Sequence, residues 1–117
     1  MPLAFDRVAL SMQRALVGEI DPTFRAICLS VTDAAVTVTI FHQGALSPGI
    51  GEAMDSAMAE VYADFPELSE DQLPILLGFD RRDAPQPIPA IGVPIFAVKG
   101  TQFLVHDDDR PSGSAPT

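Results

Sequence analysis

Tryptophan is absent from this chain, cysteine occurs once and histidine twice. A single thiol cannot form an internal disulfide, which suits a reducing compartment. So few imidazoles and thiols leave no zinc-ligand spacing, and there is no Gly-x-Ser-x-Gly nucleophile turn. Cations are scarce as well: 7 Lys and Arg stand against 16 Asp and Glu, for a net charge of −9. Direct nucleic-acid binding is excluded on that balance, because it needs Lys and Arg to displace phosphate counterions. No run is both uncharged and apolar over the ~18 residues that a membrane span requires. Asp6, Arg7 and Arg14 interrupt the first apolar stretch, so no signal-peptide segment is expected and the protein reads as cytoplasmic.

What is present is enough for one folded domain. The chain has 117 residues, is 47% hydrophobic and has a mean hydropathy of +0.22. That length accommodates one modest core. We expect a domain over residues 1–105. Residues 106–117, rich in Asp, Ser and Pro, read as a disordered acidic tail. His106-Asp107-Asp108-Asp109 lacks the Gly and terminal Glu of a calcium loop, so no metal or cofactor is expected.

Periodicity then gives the elements. Phe5, Val8, Ala9, Met12, Ala15 and Leu16 recur at helical spacing, predicting a helix over Phe5–Val17 that ends at Gly18. Phe24–Val31 and the β-branched Ala35–His42 read as strands, and the short join at Thr32-Asp33-Ala34 makes them an antiparallel hairpin. A second helix is predicted from about Pro48 to Asp64, with Ser47 as N-cap and Pro48 at its first position. Leu73–Phe79 reads as a third strand, with Pro74 at its start or on an edge. Ile95–Val98 reads as a fourth, extended by or paired with residues 102–105. The order α-β-β-α-β-β implies an α+β two-layer sandwich: a mainly antiparallel sheet with two helices on one face.

Chemistry-bearing residues are few. Cys28 sits mid-strand and reads as buried and inert. His42, at a strand end, reads as a structural or surface histidine rather than a general base. Arg81 and Arg82 are flanked by Asp80 and Asp83, which predicts local ion pairs. Arg25 shares strand parity with Ile27 and Leu29, and Glu19 precedes the same turn. A salt bridge between Glu19 and Arg25 would pin the first helix to the first strand. The largest feature is the second helix, where Glu52, Asp55, Glu60 and Asp64 face away from Ile50, Met54, Met58, Val61 and Phe65. No Lys or Arg occurs between Glu52 and Asp80. Like charges three and four residues apart cost a few tenths of a kcal/mol per pair. A face that tolerates this repulsion suits a basic partner, and focused charge speeds association.

Two stretches carry a family resemblance. Leu16-Val-Gly-Glu-Ile-Asp-Pro-Thr-Phe-Arg25-Ala26 resembles the Leu-x-Gly-Glu-[Ile/Val]-x-Pro-x-x-Arg-Ala signature of a group of small bacterial proteins. Glu60-Val-Tyr-Ala-Asp-Phe65-Pro66 is similar to a second signature of that group. The group includes immunity proteins of contact-dependent-inhibition and colicin-like toxin systems. The similarity spans roughly residues 8 to 100 and makes Glu19 and Arg25 motif positions. It departs from the pattern after Gly44, where Ala45-Leu46-Ser47-Pro48 replaces acids. It departs again at Ile95-Phe96-Ala97-Val98-Lys99, where the group is aromatic and basic. The resemblance implies a non-enzymatic protein that binds and neutralises a cognate basic toxin, with a nuclease as one candidate class and no assigned catalytic residue.

Two other functions fit the residues. A pocket between helices and sheet, with His42, Arg25 and Glu19 converging, would make a small-molecule binding module or minor enzyme. An apolar edge strand around Ile95 to Val105 could instead pair two copies into a homodimer.

Overall fold

The computed structural model describes residues 3–104. Helix α1 spans Phe5–Ala15 and α2 spans Ile50–Asp64; strands β1 to β4 span Phe24–Val31, Val36–His42, Ile75–Arg81 and Val93–Ala97. The four strands form one sheet in the order β3-β2-β1-β4. The class is α+β as expected, and the tail expected over 106–117 lies outside the described residues.

The hairpin is antiparallel, and its register places Ile27 opposite Ile40, Leu29 opposite Val38 and Val31 opposite Val36. These alternates face the helices. They form one core with Val8, Met12, Met54, Met58 and Val61 from α1 and α2. Both helices therefore cover the same side of the sheet.

One pairing corrects the expectation of a mainly antiparallel sheet. β3 runs parallel to β2, so the sheet is mixed. The reason is the connection. α2 has 15 residues, about 22 Å at 1.5 Å per residue, close to the length of a seven-residue strand. It carries the chain back to the end where β2 began, and β3 starts there in parallel. The Tyr62 hydroxyl accepts the Ile75 N–H at 2.8 Å, tying α2 to that start. Pro74 precedes β3, where no ladder donor is needed, and its carbonyl accepts Val36 N–H at 2.9 Å.

Several boundaries differ from expectation, and β3 lies two residues later than Leu73–Phe79, at Ile75–Arg81, because Pro74 offers no ladder donor. α1 ends at Ala15, and Gly18, at φ +83°, turns the chain out. α2 starts two residues late because Gly49, in the left-handed region, is its N-cap instead of Ser47. β4 starts at Val93, on an edge, with Pro94 at a register irregularity opposite Cys28. The segment after Gly100 does not pair with β4; Phe103 bridges Ile88 in parallel instead.

That bridge closes the sheet's second face. Ala26, Cys28 and Phe41 point away from the helices and form a smaller core with Ile88, and Phe103 packs on it. Ile88 donates to Gln102 O at 2.8 Å and accepts from Leu104 N–H at 2.7 Å. Cys28 is buried there, and burial pushes its thiol pKa up.

Candidate functional site

α2 presents its outer side to solvent. Successive residues turn by about 100°, so Ile50, Met54, Ala57, Met58 and Val61 fall on one side and are buried. Glu52, Asp55, Ser56, Ala59, Glu60, Ala63 and Asp64 occupy the other and are exposed. Ser56, Ala59 and Ala63 share the crest with Glu52, with Asp55 on one flank and Glu60 and Asp64 on the other. Carboxylates thus line a low ridge that a flat or concave partner surface can approach closely.

The four acids are not equivalent. Asp64 accepts the Ser11 hydroxyl at 2.6 Å and lies 3.9 Å from the Arg14 guanidinium. It also lines a groove of ≈ 360 Å³ between the helices, with Ser11, Arg14, Ala15, Glu60 and Ala63. Its charge is partly spent on docking α1 against α2. Glu52, Asp55 and Glu60 form no ion pair among the described residues. The outward negative field of α2 comes mainly from those three.

Arg25 corrects a second expectation. No ion pair joins it to Glu19. A β-bulge interrupts the β1 ladder between Phe24 and Ala26, so Phe24 takes the core-facing place that simple alternation would give Arg25. Arg25 reaches the loop after β3 instead. Its Nη1 donates to Arg82 O at 2.7 Å and to Gln86 O at 2.6 Å. Glu19 is half-buried on the turn, its N–H bonded to Leu16 O at 2.9 Å.

Around that loop the predicted local ion pairs form. Arg81 pairs with Asp83 and Arg82 with Asp80, each at 3.0 Å. Asp83 also accepts Gly44 N–H at 2.8 Å. The Arg81 hydrogen bond, then the Gly44 one, hold its carboxyl below the usual carboxylate range. His42 is buried, its Nδ1 lies 3.0 Å from Gly44 O, and its ring meets Phe79 edge-on. Arg25 lines a pocket of ≈ 200 Å³ to which neither His42 nor Glu19 contributes. The three groups of the pocket-enzyme reading therefore do not converge.

Two surface facts complete the picture. Among the described residues no group of three or more His, Cys, Asp or Glu is placed to hold a metal ion. No helix of the described residues is long and apolar enough to cross a membrane. Residues 6–86 match the family model described as MafI2 immunity protein. No curated protein matches the chain.

Proposed function

Because the chain belongs to the MafI2 immunity protein family, which carries an immunity function against a toxin, we propose that it neutralises its cognate toxin by laying the outer face of α2 over a basic surface. The observation that carries this reading is the set Glu52, Asp55 and Glu60, exposed on one helix face and in no ion pair among the described residues. Carboxylates spaced along a ridge complement the basic cleft in which a nuclease holds its phosphates. A nuclease is the toxin class that this charge best suits. Neutralisation by coverage needs no catalytic group, and the reading places the work in the cytoplasm, where a free thiol such as Cys28 persists.

The test starts with affinity capture from source-cell lysate at low salt, followed by stopped-flow kinetics on the captured toxin. The E52Q/D55N/E60Q variant keeps the Ser11–Asp64 bond and is expected to associate about tenfold more slowly at low ionic strength, with a flatter salt dependence. An unchanged association rate across the salt series would sink the acidic-face reading.

A second reading rests on the β4 margin. Val93 and Val98 are exposed there, with Ile91 and Leu104 on one flank and Val17 and Ile20 on the other. The stretch from Ala84 to Val98 carries no charge, so two copies of a −9 chain meet there with least repulsion. Pairing of β4 with a second β4 predicts a dimer in sedimentation velocity at about 100 µM, dissociated by V93K. A monomer at that concentration removes this reading and leaves the toxin interface untouched.

A further inference from the structure

We propose that the pocket beside Arg25 is a binding site for a small oxyanion, a phosphate or carboxylate group held between the free edge of the Arg25 guanidinium and Lys99. Arg25 is only 8% exposed, yet it forms no ion pair among the described residues. The Arg82 and Gln86 carbonyls take up Nη1 alone. A guanidinium has five N–H donors, so Nε–H and both Nη2 hydrogens remain without an acceptor among the described residues. No buried side-chain nitrogen or oxygen of the described residues lacks a partner. Those remaining donors must therefore open onto accessible space.

Arg25 lines a pocket of ≈ 200 Å³ together with Gln43, Lys99, Gly100 and Thr101, with apolar walls from Phe24 and Val98. No acid of the described residues lines it, on a chain whose acids outnumber its cations 16 to 7. The two acids that adjoin its lining in sequence are both engaged, Asp21 by the amide and hydroxyl of Thr23 and Asp83 by Arg81 and Gly44. Lys99 is the chain's one lysine. The Nε/Nη2 edge is the geometry that meets a carboxylate or phosphate with two parallel hydrogen bonds. Lys99 adds a second charge and Gln43 a polar side chain, while the Thr101 hydroxyl donates to Arg25 O at 3.4 Å and fixes the wall. Drug-sized ligands need pockets of about 300 Å³ or more, so the size selects a small anion. The protein's overall negative field opposes such a ligand at long range. At physiological salt the Debye length is about 8 Å, which leaves Arg25 and Lys99 as the charges the anion meets.

The experiment is NMR titration of the ¹⁵N-labelled full chain at fixed pH and constant ionic strength, in two arms, inorganic phosphate and acetate. We expect saturable shifts of the Arg25 Nε–H and the Gly100 and Thr101 amides in at least one arm, with a Kd in the low-millimolar range or tighter. The tighter arm names the anion class. K99Q, an exposed change that leaves the fold intact, is expected to weaken binding about threefold. R25K, which keeps the charge but loses the fork, is expected to weaken it about tenfold. Shifts that stay linear to about 50 mM in both arms, or saturable shifts that K99Q leaves unchanged, overturn the proposal.

Discussion

Gly92→Ala is expected to cost about 3–5 kcal/mol, among the largest effects of any single substitution in this chain. Two penalties add at one position. Gly92 has φ +69°, where an L-residue with a Cβ loses roughly 1–2 kcal/mol. An added Cβ would also lie 2.6 Å from Leu29 O and 2.9 Å from Leu29 C. Both are backbone atoms of β1, the strand hydrogen-bonded on both sides, so they cannot yield as a side-chain tip would. Relief requires moving β4, whose first residue, Val93, pairs with Leu29. Gly49 is the internal control: φ is +83° but no atom lies within 4 Å of its added Cβ. Gly49→Ala should therefore cost only about 1 kcal/mol. Urea unfolding of both variants decides the matter. Equal losses would mean that the approach of Gly92 to Leu29 carries no weight.

Arg25→Met is expected to destabilise by about 2–4 kcal/mol. Methionine keeps the aliphatic stem, so the loss isolates the charged head. Two charge-assisted bonds vanish, and Arg82 O and Gln86 O lose their partner. The damage should be directional. The loop held by Arg25 leads to Ile88, whose burial roofs Ala26, Cys28 and Phe41. Hydrogen exchange at Ile88 and Leu104 should quicken more than at Ile27 or Val38. If R25M unfolds within about 0.5 kcal/mol of the parent, the guanidinium is not the clasp that the two bonds suggest.

How much of this was legible in the sequence depends on the range of the interaction. β1 falls at Phe24–Val31 as read, because its apolar alternation and the Asp21-Pro22 turn are local signals. The core face of α2 was legible for the same reason. The parallel β3 was not, since periodicity gives a strand but no direction; the length of α2 sets that. The bulge at Arg25 was invisible because strict alternation is the default a sequence offers. The second-face core was missed because Ile88 lies in a proline-rich stretch with no period, and its partners are far away in sequence. Among the acids, position and exposure were legible from spacing. The engagement of Asp64 was not, because Ser11 lies 53 residues away.

The same helix holds both the acidic ridge and much of the core, and the two are locked in phase. One residue inserted in α2 would rotate everything beyond it by about 100°. Val61 would leave the core, and Glu60 and Asp64 would swing with it. The charge pattern therefore cannot drift by insertion or deletion without unmaking the fold. It can be rewritten only by exchanging one outward side chain for another, at positions where the interior is indifferent. A lineage built on this frame would change allegiance between toxins through surface substitutions, one letter at a time, while its interior stays as it is.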